Sequence, residues 1–175
     1  MKFKKMKLLF ILVSLMTMSQ ITHALSLETS VEIDVPPERV WHILTDFSNH
    51  SNWDPFIREI TGELREGATL SITIQPTPDE KMHFSPIITR LESSKELRWI
   101  GNLWGIDFLF SGEHYFKLKR NKDNTTTLVH GEKFTGILLF MFSSQFEQNT
   151  LSGFKSFNKA LKVVSEAQID KMQVH

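Results

Sequence analysis

Thr150-Leu151-Ser152-Gly153-Phe154-Lys155-Ser156-Phe157-Asn158-Lys159-Ala160-Leu161-Lys162-Val163-Val164-Ser165-Glu166-Ala167-Gln168 is the long helical signal in a chain whose other signals are mostly strands. Phe154, Phe157, Leu161 and Val164 follow an i, i+3, i+7, i+10 spacing that lines them along one face. Lys155, Lys159, Lys162 and Glu166 fall largely opposite. At 1.5 Å per residue, a helix over this stretch is about 28 Å long. Its apolar stripe must be buried against another layer, so what precedes it decides the architecture.

Working back from the helix, Thr126–Gly136 and Ile106–Arg120 read as two strands joined by the turn Asn121-Lys122-Asp123-Asn124. Leu97–Leu103 and Met82–Leu91 form a further pair around Ser93-Ser94-Lys95. Pro76-Thr77-Pro78-Asp79 breaks the chain, and Leu70, Ile72 and Ile74 alternate with Ser71, Thr73 and Gln75. Arg58–Gly62 is another strand candidate, and Leu27–Val35 alternates with period two. Between these two, Pro36-Pro37-Glu38 starts a helix with Val40, Trp41, Leu44 and Phe47 on one face. Ser48–Asn52 is a second helical turn or a loop, which Trp53-Asp54-Pro55-Phe56 ends, since Pro55 biases Asp54 towards extended backbone. The order predicts an α+β fold: a curved antiparallel sheet of about six to seven strands around the C-terminal helix, with two short helices after the first strand.

The N-terminus reads as an address. Lys2, Lys4, Lys5 and Lys7 precede an almost unbroken apolar run, Leu8–Met18, and Thr22-His23-Ala24 places small residues where a signal peptidase cuts. That run is about 11 residues, against about 20 for a spanning helix, so residues 1–24 are expected to be a signal peptide and 25–175 the exported domain. The whole chain carries 20 basic and 20 acidic residues. Four lysines and no acid leave with the leader, so 16 face 20 and the net charge becomes −4. This balance gives no basic surface for nucleic acid. The chain has no cysteine, which excludes disulfides, thiolate metal sites and a cysteine nucleophile.

Several stretches resemble the START-like (SRPBCC) superfamily, in particular its bacterial polyketide cyclase/dehydrase and lipid transport branch. They are Val35-Pro36-Pro37-Glu38-Arg39-Val40-Trp41, Trp53-Asp54-Pro55-Phe56-Ile57, Gly62, Gly67, Leu97-Arg98-Trp99 and Gly112-Glu113-His114-Tyr115-Phe116. His130-Gly131-Glu132-Lys133-Phe134-Thr135-Gly136 and Gly153-Phe154 with Asn158-Lys159-Ala160-Leu161-Lys162 complete the set. The resemblance covers about Leu27 to Val164 and implies a helix-grip fold with an apolar cavity between sheet and helix. The superfamily hosts carriers, cyclases, receptors and regulators on one scaffold, so it does not name an activity. Most relatives of this kind lack an export leader.

Strand parity predicts what faces that cavity. Ile106, Phe108, Phe110, Phe116 and Leu118 are apolar between polar odd positions, so the even face is expected inward and carries His114. Leu128 and Phe134 mark the even face of the returning strand, which carries His130 and Glu132. The four-residue turn sets positions summing to about 246 opposite one another, placing His114 across from Glu132 and Phe116 across from His130. Cross-strand Cβ atoms lie about 4.5–5.5 Å apart, so three titratable groups cluster on an apolar wall. Such a cluster is a self-satisfied buried set, a polar anchor for a ligand head group, a catalytic acid/base pair, or a two-His, one-carboxylate metal site. For the last, the spacing matches no strong motif.

Trp99 shares its parity with Leu97 and Gly101 and is expected inward. Trp53 and Phe56 plug the core or rim an entrance. Arg90, in register with Phe84 and Ile88, either meets an acidic ligand group or reaches out to solvent. Gly136–Phe142 is a buried strand end or a lip over the cavity mouth that touches membranes. No G-x-S-x-G elbow, phosphate-binding glycine loop or H-E-x-x-H is present.

The expected function is therefore that of a periplasmic or secreted binding module for a small hydrophobic molecule or lipid. Its ligand-contacting residues would be His114, His130, Glu132, Trp99, Phe110, Phe116, Arg90 and Trp53. No catalytic residue, metal or cofactor is assigned. The expected chain is a monomer or weak dimer, with transient membrane-surface contact admitted and nucleic acid not. A cyclase/dehydratase-like enzyme using the His/Glu pair and a ligand-free protein-interaction domain are the alternatives.

Overall fold

Two prolines set the first turn of the fold. Pro36 is extended (φ −63°, ψ 153°) and Pro37 opens helix α1 (Pro37–Thr45), where a missing N–H costs nothing and Glu38 suits the helix dipole. In this computed structural model, which describes residues 24–77 and 79–167, α1 follows strand β1 (Ala24–Ile33). A 3-10 turn (Phe47–Asn52) then leads to β2 (Ile57–Thr61), β3 (Ser71–Thr77), β4 (Glu80–Phe84), β5 (Ile87–Glu92) and β6 (Glu96–Asn102). The chain ends with β7 (Ser111–Arg120), β8 (Thr126–Thr135) and the long helix α2 (Ser144–Ala167). The expected signal peptide, residues 1–24, lies outside the described residues except for Ala24.

The strands form two antiparallel sheets in the orders β1-β8-β7-β6-β5 and β2-β3-β4. They meet at residues 67–70, where Leu70 N–H donates to the Pro86 carbonyl (2.8 Å) and Ile88 N–H to that of Ala68 (2.9 Å). Helix α2 packs on β1, β8, β3 and α1, which is the helix-grip arrangement. Its stripe of Phe154, Phe157 and Leu161 is buried with Phe116, Leu97, Leu128 and Ile33. The β7–β8 register is the one read from the turn: Ser111 pairs with Thr135, His114 with Glu132, and Phe116 with His130.

Three sequence readings change. The run Met82–Leu91 is two strands in different sheets, because Ser85-Pro86 interrupts it and proline offers no N–H to a ladder. That gives eight strands among the described residues rather than six or seven. The long strand begins at Ser111, not Ile106: a 3-10 turn over Leu103–Gly105 puts Trp104 and Gly105 at positive φ. Ile106 and Phe108 are consequently exposed instead of inward. Finally, Gly136–Phe142 is no strand end. Ile137–Met141 is a 3-10 turn with Leu139 buried and Phe140 and Met141 exposed, and α2 starts earlier than its apolar period suggests.

Candidate functional site

Five polar groups along the inner face of the sheet and α2 link into one chain. Thr29 stands on the inward face of β1 opposite His130 of β8. Its hydroxyl donates to the His130 carbonyl (3.3 Å) and accepts from Asn158 Nδ2 (2.9 Å) on α2. Asn158 therefore turns Oδ1 towards His130 Nδ1, 2.8 Å away. His130 Nε2 meets His114 Nε2 at 2.9 Å, and His114 Nδ1 faces Glu132 Oε2 at 3.4 Å. His130, Asn158 and His114 are buried, whereas the Glu132 side chain is partly open to solvent. A buried polar group without a partner costs about 1–3 kcal/mol, and this chain leaves none of its members alone.

The hydrogen bonds also order the protons. With Asn158 offering an oxygen, His130 Nδ1 must donate. Burial, and then the adjacent His114, hold the His130 pKa well below its usual 6.5, against the opposing effect of the Asn158 bond. His130 is thus a neutral imidazole whose Nε2 lone pair accepts from His114 Nε2–H. The remaining contact joins His114 Nδ1 to the Glu132 carboxyl, where a bare lone pair facing a carboxylate would repel. The pair thus sets an imidazole nitrogen beside a carboxylate oxygen, the geometry that proton exchange with a ligand group at Glu132 requires. The two Nε2 atoms are in direct hydrogen-bond contact, leaving no room between them for a metal with ordinary Zn–N bonds of about 2.0–2.1 Å. Among the described residues no group of three or more His, Asp or Glu side chains is arranged to hold a metal ion.

Aromatic rings fill the space around this chain. The Trp99 ring is stacked on His114 (5.0 Å between centroids, 5° between planes). His130 lies between Phe154 (4.2 Å) and Phe116 (4.4 Å), with Phe157 at 4.9 Å. The deep half of the grip, where the family resemblance implies a cavity, is occupied by these rings. Towards the other end the packing loosens: Phe110, Phe142 and Phe146 are only partly buried and gather on Phe134 at 5.8, 6.3 and 5.4 Å. Gly112 links the two regions, since a Cβ there would lie 2.5 Å from Glu132 Oε1 and 3.5 Å from the Phe134 ring. A hollow of about 230 Å³ lined by Ala24, Leu25, Leu139, Phe140, Phe142 and Glu147 opens beside Phe142.

The structure thus brings His114, His130, Glu132, Trp99 and Phe116 together, with Phe110 at the looser end. Trp53 stands apart, packed on His50 (4.7 Å) and Phe157 (5.3 Å) and lining a separate outer hollow of about 510 Å³. Arg90 is on the opposite face of the sheet. The β5–β6 register shifts between Ile88 and Arg90, so Arg90 pairs with Arg98 and bonds Glu92 (2.8 Å) and Glu96 (2.9 Å). Its parity with Ile88 is broken by that bulge. Thr29 and Asn158 were not singled out from the sequence. The available signal was a polar side chain within an apolar stripe, Asn158 following Phe154 by one turn and Thr29 lying between Leu27 and Val31.

Residues 24–138 match the family described as polyketide cyclase / dehydrase and lipid transport. Among solved structures, the Zhui aromatase/cyclase from Streptomyces sp. R1128 superposes with a TM-score of 0.66 at 13% identity, covering 84% of this chain and 96% of that one. A START superfamily protein from Mycobacterium smegmatis gives 0.65 at 14% identity, over 81% and 97%. A protein of unknown function from Staphylococcus aureus gives 0.65 at 13%, over 86% and 98%. No curated protein matches the sequence significantly. Identities this low speak for the shared fold alone, but the family match spans well over half of the chain: it belongs to the polyketide cyclase / dehydrase and lipid transport family.

Proposed function

We propose that this chain is an exported carrier or sensor that holds a small hydrophobic molecule, a lipid among the candidates, at the Glu132 end of the grip. The observation that carries the reading is that Glu132 is the part-exposed end of a largely buried polar chain and neighbours, at Gly112, the Phe134 ring on which half-buried aromatic side chains gather. An apolar wall with few convergent polar groups is the usual composition of a small-molecule site. Phe110, Phe142 and Phe146 would shift to admit the apolar part, while Glu132 and His114 bond a hydroxyl or carbonyl. Export is supported by the leader pattern, four lysines ahead of the apolar run Leu8–Met18 and small residues at Thr22 and Ala24.

The test is native mass spectrometry of the protein recovered from a bacterial periplasm without detergent. A reproducible apolar adduct is expected, and Glu132→Gln should retain it more weakly. A clean apo mass that persists after incubation with a broad lipid panel overturns the reading. The proximity of His114 Nδ1 and Glu132 Oε2 favours a second reading, an acid/base enzyme of the cyclase or dehydratase kind. For an enzyme, Glu132→Gln abolishes turnover and leaves ligand affinity within a few-fold.

A further inference from the structure

Two loops meet at one end of the five-stranded sheet: residues 103–110 between β6 and β7, and 136–143 between β8 and α2. Ile137 N–H donates to the Phe108 carbonyl (3.1 Å) and Leu138 N–H to that of Leu109 (3.1 Å), which ties the loops into one ridge. Gly136, at φ 125°, allows this approach, because a Cβ there would lie 2.5 Å from the Leu109 carbonyl oxygen. The ridge turns its large apolar side chains outward. Trp104 is 80% exposed, Phe140 76%, Met141 69% and Phe108 56%, flanked by exposed Ile106 and Ile137. Single exposed apolar residues are ordinary, but six on two bonded loops form a patch of the kind that marks an interaction site. Trp104 also holds φ 55°, ψ 24°, a region unfavourable to a bulky residue.

We propose that this ridge docks on the surface of a lipid bilayer of low charge. Both loops together carry one charged residue, Asp107, which bonds Asn102, so no basic group is there to read anionic head groups. Projecting Trp, Phe and Met side chains suit the boundary between head groups and acyl chains. The path of the chain points the same way. Ala24 pairs with Thr135, next to Gly136, and lines a hollow with Phe140 and Phe142. Ahead of it stand four lysines and the apolar run Leu8–Met18, joined to Ala24 by only five residues, Ser19–His23. Those five span at most about 18 Å when extended. A membrane that takes up the apolar run therefore lies beside the ridge, before any cleavage frees the domain. Among the described residues no helix is long and apolar enough to cross a membrane, so the contact is at the surface.

This goes beyond the ligand reading and stands without it. The test is co-sedimentation of the exported protein with extruded phosphatidylcholine vesicles, comparing wild type with Phe140→Ser/Met141→Ser. Both side chains are exposed, so the variant keeps its packing, and any leader retained is the same in both proteins. Wild type should sediment with vesicles, with its tryptophan emission, to which Trp104 contributes the most exposed ring, shifted to the blue and little change on adding salt. The double variant should bind about tenfold more weakly or worse, since roughly 1.4 kcal/mol of lost apolar burial is tenfold. Equal sedimentation of the two proteins, or none by wild type, overturns the proposal. So does binding that requires phosphatidylglycerol and vanishes in salt. A concentration-dependent dimer dissociated by the double substitution, with no vesicle binding, assigns the ridge to a second copy instead.

Discussion

His130 is the residue on which the polar chain turns, and its burial makes stability depend on pH. Its folded pKa lies well below the ordinary 6.5, so the unfolded chain takes up a proton first as pH falls. Stability is therefore fully present above about pH 6.5 and declines below it, by up to about 1.4 kcal/mol per pH unit for one group, until the folded histidine also protonates. Urea unfolding between about pH 7.5 and 5.5 should show this decline. His130→Gln should be less stable throughout but flatter over the same window, and an unchanged slope would assign the effect to other groups. Tyr115, on the outer face, gives an independent reading. Its ring crosses Gly131, where a Cβ would come within 2.5 Å of the hydroxyl, to bond Glu28 (2.7 Å). Burial, then Glu28, pushes its pKa up to about 12. Tyr115 is the single tyrosine of the chain, so a near-ultraviolet absorbance titration reads it alone. Ionisation is expected near 12, with stability falling as pH rises from about 10 towards that value, because the unfolded phenol loses its proton first. Glu28→Gln should bring the midpoint down.

At the scale of the element, α2 carries a glycine where helix propensity alone would choose otherwise. A Cβ on Gly153 would lie 2.6 Å from the Phe56 ring, which is itself buried edge-on to Phe154. Alanine gains about 1 kcal/mol of helix propensity, while forcing a packed ring aside costs about 1–3 kcal/mol. Gly153→Ala is thus expected to lower the urea midpoint despite the better helix former, and a stabilised variant would show that Phe56 moves freely. Phe157→Ala, which empties a ring position among Phe116, His130 and Trp53, should cost about 3–5 kcal/mol. The strands show where parity is trustworthy. It held across β7 and β8, where the ladder is regular from Ser111 to Arg120. It failed at Arg90 and at Ile106 and Phe108, where a bulge and a 3-10 turn reset the alternation.

For the whole molecule, the two halves of the grip differ in packing. Phe154, Phe157 and Leu161 anchor the C-terminal half of α2 in the core, whereas residues 137–150 carry exposed or half-buried side chains apart from Leu139. Local opening draws on the least buried segments, so hydrogen exchange should be faster over 137–150 than over 153–165. Under the ligand reading, a bound molecule at the Glu132 end should slow exchange over 137–150 and leave 153–165 unchanged. Slowing confined to the C-terminal half would place the ligand elsewhere.

The helix stripe, the β7–β8 register and the meeting of His114, His130 and Glu132 were all determined by sequence, because period and turn length are local properties. Whether the grip encloses a cavity was not, since that depends on how rings from four separate elements fill one volume: Trp99, Phe116, His130 and Phe154 close it only once α2 lies on the sheet. Asn158 became part of the site for the same reason, reaching His130 across 28 residues of chain. The exposed ridge was likewise decided by tertiary structure. An apolar run reads as core in sequence, and only the hydrogen bonds between two loops showed that Phe108 and Phe140 face outward.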